Sequence, residues 1–258
     1  MPMQHECTVV YLKRLNPYAY DMMLEAGEMG CMAQPGQFVH IKCGEGNLLR
    51  RPISICDAQW DEPDDLLRIV FEVRGEGTAW LAERKEGDKL DVLGPLGRGF
   101  EPVGNKVLLV GGGIGVPPMR GCARRLADGI ECHAVLGFRD KDHILMVEEF
   151  QDFCASVAVT TDDGSYGIHG YVDGQMRALL EKENDFTFIL ACGPKPMLRS
   201  VAKVAEELGV PCQVSMEERM GCGVGACLVC ACDMADGTRK HVCKDGPVFD
   251  AREVDWNA

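Results

Sequence analysis

No stretch of this chain approaches the ~18 uninterrupted apolar residues of a membrane-spanning helix. Its start, Met1-Pro-Met-Gln-His-Glu-Cys7, lacks the basic region and apolar stretch of a secretory signal. Basic residues are also scarce: 27 Lys and Arg stand against 40 Asp and Glu, a net charge of −13. Nucleic-acid binding needs basic surface to displace counterions, so this balance excludes it. Internal repeats, low-complexity tracts and the G-x-G-x-x-G fingerprint of ordinary dinucleotide-binding folds are missing too. These absences leave a globular, cytoplasmic chain with no membrane and no nucleic-acid partner.

Cysteine, by contrast, is abundant, with 14 residues. Without a signal for export the expected compartment is reducing, so most of the thiols read as small core hydrophobes rather than disulfides. Four form a pattern: Cys222-Gly-Val-Gly-Ala-Cys227-Leu-Val-Cys230, then Cys243. This C-x4-C-x2-C-x12-C ladder is the spacing by which four thiolates hold a plant-type [2Fe–2S] cluster. Zinc sites usually show two close cysteine pairs separated by a longer spacer, whereas here three thiols crowd one glycine-rich loop. Gly221, Gly223 and Gly225 let the backbone wrap closely and aim N–H groups at sulfur. Cys232, two residues past Cys230, is turned away by strand alternation and left out of the ligand set. A zinc-stabilised binding module stays open as the alternative of another class.

The first hundred residues carry short β-type runs at near-regular spacing: 8–12, 20–24, 37–42, 53–57, 67–73 and 89–93. That rhythm predicts an antiparallel β-barrel over 1–101. The acidic stretch Trp60-Asp-Glu-Pro-Asp-Asp65 between two of these runs reads as a solvated hairpin loop. Over 102–212 strands and helices alternate, with strands expected at 106–110, 131–137, 156–160 and 186–191 and helices at 117–127, 172–182 and 196–208. Such alternation predicts a parallel sheet covered by helices, an α/β nucleotide-binding domain. Residues 213–258 hold the ladder and little else. So short a segment cannot make a large core, and a bound cluster is expected to supply much of its folding energy.

Four motifs carry chemistry. Lys106-Val-Leu-Leu-Val110 runs into Gly111-Gly-Gly-Ile-Gly115 and then a helix, where free N–H groups and the helix dipole suit a pyrophosphate. An ordinary tight turn would also use such glycines. Ile189-Leu-Ala-Cys192-Gly-Pro194 is a second apolar strand ending at the same carboxyl edge, where α/β sheets bind ligands. In the barrel, Arg50-Arg51-Pro52-Ile53-Ser54 sets a guanidinium fork near a hydroxyl, able to clamp phosphate. Gly75-Glu-Gly77-Thr78 leads into an apparent helix at 79–84, a second candidate anion-binding helix N-terminus whose plain reading is a capped helix start.

In this order, Arg-x-x-Ser, Gly-x-Gly-Thr, Gly-Gly-Gly-Ile-Gly and Cys-Gly-Pro resemble the ferredoxin–NADP reductase superfamily over roughly residues 5–210. The fuller wording of Arg50–Ile55, Gly75–Thr78, Val92–Gly97, Glu217–Cys230 and Val242–Phe249 is similar to the electron-transfer subunits of NAD-dependent, class 1B, dihydroorotate dehydrogenases. The resemblance implies FAD on Arg51, Pro52, Ile53 and Ser54, bordered by Val70, Phe71 and Glu72, with its pyrophosphate at Gly77 and Thr78. Glu72 departs from the aromatic or basic residue expected beside so phosphate-rich a cofactor. The resemblance also implies NAD as substrate on Gly111, Gly112, Gly113, Ile114 and Gly115 and on Cys192, Gly193 and Pro194, with Cys192 beside the nicotinamide. The acidic turn Thr161-Asp-Asp-Gly164 disfavours a 2′-phosphate and so favours NAD over NADP. The implied metal ligands are Cys222, Cys227, Cys230 and Cys243. The implied partner is an FMN-containing catalytic subunit that oxidises dihydroorotate for pyrimidine biosynthesis, in a two-plus-two heterotetramer. This chain would supply no general acid or base. A reductase serving another partner, such as an oxygenase or a bifurcating transhydrogenase, is the nearest alternative.

Overall fold

A computed structural model of the chain describes residues 2–58 and 65–258. The expected acidic hairpin loop therefore falls, except for Asp65, outside the described residues. Strands β1 (Met3–Arg14), β2 (Ala19–Glu25), β3 (Phe38–Ile41), β4 (Arg51–Ala58), β5 (Leu66–Glu72) and β6 (Lys89–Leu96) close an antiparallel barrel in the order β1-β2-β5-β4-β3-β6. Every expected strand of the first hundred residues lies within or overlaps one of these. Strand alternation decides which side chains fill it: Val39, Ile41, Ile53, Ile55, Ile69 and Phe71 point into one buried core. Helix α1 (Glu28–Met32) and helix α2 (Glu76–Ala82) interrupt the strands. Helix α2 begins three residues before the sequence expectation because Thr78 Oγ1 accepts the N–H groups of Arg74 at 2.9 Å and Gly75 at 3.3 Å.

The second unit alternates β7 (Lys106–Gly112), α3 (Val116–Leu126), β8 (Glu131–Phe138), α4 (Val147–Phe150), β9 (Ser156–Thr161), β10 (Ile168–His169), α5 (Val172–Lys182), β11 (Phe188–Cys192), α6 (Lys195–Leu208) and β12 (Cys212–Ser215). Gly209 ends α6 in the left-handed region at φ 70°, as a glycine after a helix should. The sheet order is β10-β9-β8-β7-β11-β12 with the parallel strands continuous, so the winding reverses between β7 and β11. At that reversal the carboxyl ends of the two strands lie side by side with no crossover covering them, which opens a crevice. No helix among the described residues is long and apolar enough to cross a membrane.

The C-terminal segment differs from its expectation. Strands β13 (Ala231–Asp233) and β14 (Arg239–His241) pair with each other, but β15 (Val248–Asp250) joins the large sheet antiparallel to β12. Cys230, Met234, Val242 and Phe249 bury in the same core as Leu198 and Val214 of the nucleotide domain and Phe38 and Leu96 of the barrel. The segment completes a core that two other units begin. Its β-strands are therefore stabilised by apolar burial, and only the irregular loop around the first three cysteines is left to depend on a cluster.

Barrel and nucleotide domain are joined by contact and by charge. Gly121 of α3 sits directly on the carbonyl of Cys56 in β4, where any Cβ would collide with that oxygen. Around this contact Arg68 pairs with Asp21 at 2.9 Å and with Glu149 at 2.7 Å, and Arg124 pairs with Asp57 at 2.9 Å. Arg120 pairs with Asp57 and, at 3.0 Å, with Glu149. Burial of so many charges is tolerable because each has an opposite partner; removing one strands the others. Burial would raise the Glu149 carboxyl, but Arg68 and Arg120 outweigh it and hold the group below its usual range.

A depressed carboxylate stabilises the fold above its unfolded value, about 4.3 for Glu, and that contribution is lost as pH falls through the lower folded value. Glu149→Gln is therefore expected to lower stability at pH 7 and to flatten the loss of stability on acidification. Denaturant unfolding at pH 7 and at about pH 3.5, below the usual Glu value, checks this; an unchanged pH slope would contradict it.

Candidate functional site

The glycine turn after β7 owes its shape to close approach. A side chain on Gly115 would strike the backbone of Cys192 and Gly193, with the Gly193 nitrogen 2.7 Å from its Cβ. One on Gly112 would strike Met197 at the start of α6. Gly113 has φ 52°, a left-handed conformation natural to glycine. The turn Gly111–Gly115 and the loop Cys192–Pro194 thus meet at the reversal point, as the sequence motifs required. Cys192 is buried, and burial pushes its thiol up to about 12 although the Ser215 side chain works in the other direction. It is a neutral sulfur at the edge of the crevice. The acidic turn at 161–164 follows β9, two strands from β7 on the same edge. Burial and the neighbouring Asp163 raise the Asp162 carboxyl, while Arg139 opposes them.

On the barrel, the two arginines of the Arg-Arg-Pro-Ile-Ser motif separate. Arg50 turns to β6, bonding the Asp91 carbonyl at 2.9 Å and its carboxylate at 2.8 Å, which is a structural tie. Arg51 turns to α2, where its guanidinium lies so close to Gly77 that a Cβ there would stand 2.8 Å from Cζ. It is held by Asn47 Oδ1 at 2.8 Å and by the Leu49 carbonyl. A fixed cation against the Gly75–Thr78 turn is the donor set a pyrophosphate needs. Paired residues in antiparallel strands share a face, and Ser54 pairs with Phe38 and Pro52 with His40. Phe38 lies in the core outside the barrel, so Pro52 and Ser54 face outward as well. Ile53 and Phe71 point into the barrel core, and would meet a cofactor only through their backbone. Val70 and Glu72 alternate outward with Phe71 between them. Glu72 is ion-paired with Arg74 at 2.9 Å, which cancels the charge that would oppose a phosphate.

The four ladder cysteines come as two pairs. The N–H of Cys222 donates to Cys227 Sγ at 3.3 Å and that of Cys227 to Cys222 Sγ at 3.4 Å. Val224 and Ala226 also donate to Cys222 Sγ, at 3.4 and 3.2 Å. The second pair is Cys230 with Cys243, whose N–H donates to Cys230 Sγ at 3.4 Å, and Gly225 links the pairs by donating to Cys243 Sγ at 3.1 Å. Leu228 takes φ 61° to bend the chain between Cys227 and Cys230. Burial works against the Cys222 thiolate, yet these backbone donors and Cys227 bring the thiol down to about 6. Burial and then Cys230 push Cys243 up to about 12. Neighbouring thiolates repel each other, and a cation between them favours ionisation of both. Two thiolate pairs, each able to take one iron, with N–H groups aimed at the sulfurs, fit a [2Fe–2S] cluster. Cys230 and Cys243 are buried while Cys227 is exposed, among the exposed side chains of Val224, Leu228 and Val229.

Neighbouring barrel strands order these parts. β5 packs against the turn at 113–115, β4 carries Arg51 to Ser54, and the next strands, β3 and β6, meet the cluster loop. That last contact runs through His40 and Leu96, which lie against Gly223. His40 is fully buried, and burial followed by Arg50 holds its imidazole down to about 4. A lone histidine in an apolar strand gave the sequence reading no signal.

Residues 217–255 match the family model for the iron–sulfur cluster binding domain of dihydroorotate dehydrogenase B, and 109–203 match that for an oxidoreductase NAD-binding domain. The chain is 44% identical to the dihydroorotate dehydrogenase B (NAD(+)) electron transfer subunit of Geobacillus thermodenitrificans, over 96% of each chain. It is 41% identical to the subunit of the same name from Streptococcus mutans, over 98% of this chain and 99% of that one. Among solved structures it is similar to an NADH-dependent reduced ferredoxin–NADP oxidoreductase studied for flavin-based electron bifurcation, with TM-score 0.88 and 35% identity over 97% of this chain and 90% of that one. A ferredoxin reductase of carbazole 1,9a-dioxygenase gives TM-score 0.69 and 26% identity over 81% and 67%.

Arg51→Ala is expected to remove a charge-assisted contact of roughly 1.5–3 kcal/mol, weakening FAD binding about 10- to 150-fold. Gly77→Ala should weaken it in the same direction by displacing the Arg51 guanidinium. Flavin fluorescence during titration of the apoprotein measures both; unaltered affinity in both variants would place FAD elsewhere.

Proposed function

This chain belongs to the electron transfer subunits of NAD-dependent dihydroorotate dehydrogenase B, and on that premise we propose how its residues divide the work. It links the catalytic subunit of that enzyme to NAD+, using an FAD and a [2Fe–2S] cluster of its own. The observation that carries the assignment of residues is the order along one barrel wall: nicotinamide turn, Arg51–Ser54 strand, cysteine loop. Electrons must pass along the same line in reverse, from cluster to flavin to nicotinamide.

When bound, FAD exchanges a hydride with nicotinamide and single electrons with an iron–sulfur centre. The chain's own residues supply placement. Arg51 neutralises the pyrophosphate, with Gly77 leaving room for close approach and Thr78 Oγ1 tying down the N–H groups of Arg74 and Gly75. Pro52 and Ser54, with Val70 and Glu72, form the outward wall that receives the ring system. Gly111–Gly115 offer backbone N–H groups to the dinucleotide, and Cys192–Pro194 close over its nicotinamide end. Neutral Cys192 adds no charge beside the ring, and no side chain is required as general acid or base, because hydride transfer needs alignment. Cys222, Cys227, Cys230 and Cys243 would hold the cluster.

The division into a flavin barrel over 1–101, a nucleotide domain over 102–212 and a cluster segment over 213–258 is one of function. In packing, the boundary after 212 falls inside β12, and β15 of the last segment extends the nucleotide sheet by pairing with that strand. Dihydroorotate is oxidised at an FMN in the partner, and two copies of each subunit assemble. Exposed Val224, Leu228 and Val229 around exposed Cys227 support docking of that partner on the cluster loop. Thiolate ligands and buried thiols suit a reducing cytoplasm.

The purified chain should show flavin bands over broad iron–sulfur absorption, and it should co-purify with an FMN protein that oxidises dihydroorotate. A colourless protein, or a partner of other chemistry, would overturn the reading. Cys227→Ser is expected to keep FAD and NADH oxidation by artificial acceptors. Transfer between subunits should fall by more than the roughly 100-fold that loss of a supporting contact at a metal site costs. Loss of FAD from that variant would instead make the cluster a structural staple.

A further inference from the structure

We propose that His40 is a positioning residue for electron passage between FAD and the cluster, its ring seating the cysteine loop on the strand pair that carries the flavin contacts. The proposal rests on the placement of cofactors given above. His40 is 0% exposed, and neither Nδ1 nor Nε2 has a hydrogen-bond partner of normal geometry. Burying an imidazole with both nitrogens unsatisfied is costly, and a leucine would fill similar space without that cost. A polar ring kept in such a place calls for a role that packing alone does not supply.

The surroundings indicate the role. On one side His40 is paired across the strands with Pro52, two residues from Ser54. On the other side stands Gly223, whose added Cβ would lie 2.7 Å from His40 Nδ1 and whose φ is 75°. The loop can reach the ring only with glycine at that position. Backbone groups of Arg50, at the flavin strand, and of Cys222, a cluster ligand, act on the ring. Arg50 also donates to the His40 carbonyl at 3.3 Å, fixing the strand from which the ring projects. Immediately after Gly223 come Val224 and Gly225, whose N–H groups point at Cys222 Sγ and Cys243 Sγ. The ring therefore seats the stretch of backbone that aims donors at two of the four sulfurs. Such donors favour the reduced, more negative state of a cluster and so tune its potential, and a polar ring beside the Cys222 backbone holds in place the loop that aims them. Each transfer moves one electron, and His40 neither takes it nor releases a proton.

Two substitutions in the intact subunit, isolated with its catalytic partner, test the proposal: His40→Leu and His40→Gln. The readouts are iron and FAD content and the midpoint potential of the cluster, followed by electron paramagnetic resonance during a reductive titration. His40→Leu is expected to keep both cofactors and to make cluster reduction about tenfold less favourable, a fall of about 59 mV for one electron. His40→Gln retains an N–H donor and should restore at least half of that shift. An unshifted potential in a fully loaded His40→Leu protein would overturn the proposal. So would an equal shift in both variants, or loss of iron from both, which would make His40 a packing residue. A wild-type chain without iron would overturn the cluster reading along with this one, and is told apart because it needs no variant to be seen.

Discussion

Helix α3 lies on strand β4 with nothing between Gly121 and the carbonyl of Cys56. The strand begins with Arg51 to Ser54 and the helix begins at the glycine turn. A hydride donor and acceptor must be held at reacting distance, and effective concentration falls steeply with small misplacements. This one backbone contact sets the distance between the element expected to hold flavin and the element expected to hold nicotinamide. The paired charges of Arg68, Arg120 and Arg124 with Asp21, Asp57 and Glu149 then keep the contact from sliding, since each displaced ion would be left buried and alone. Tyr18 stacked on His143 at 4.1 Å adds a further point of attachment beside it.

The cysteine loop is attached by a different device. Its host segment lends Cys230, Val242 and Phe249 to a core shared with both larger units, and its last strand β15 completes the nucleotide sheet. The loop's position relative to the barrel is therefore set by apolar burial. The geometry of its donors to sulfur is left to the turns at Gly223, Gly225 and Leu228. This separation leaves Cys227 exposed and Cys222 half-buried while the inner pair is buried. A cluster held wholly by a separate small domain would have had to carry the folding of that domain as well.

Much of this was legible in one dimension. Strand periodicity in the first hundred residues and strand–helix alternation afterwards located the barrel and the sheet, because side-chain period reports which face is buried. The ladder spacing and the two glycine-bearing strand ends named the residues that now lie together. Other features were out of reach. Strand β15 is three residues long and has meaning only against β12. Ile53 and Phe71, neighbours of outward-facing candidates, are core residues once the barrel closes. His40 differs in no local respect from any histidine in an apolar run.

Chemistry and local form were set in the chain itself: four thiols at cluster spacing, glycines where backbone must come close, a guanidinium at the head of a strand, and the periods of the elements. These follow from covalent spacing and local sterics, which a linear string records. It took folding to bring the β7 and β11 ends together, to turn Arg50 away to β6 while Arg51 lies against Gly77, and to merge the cluster segment into a shared core. Folding also set His40 against Gly223. Those relations join residues far apart in the chain, and they arise from the packing of faces whose partners no local pattern specifies.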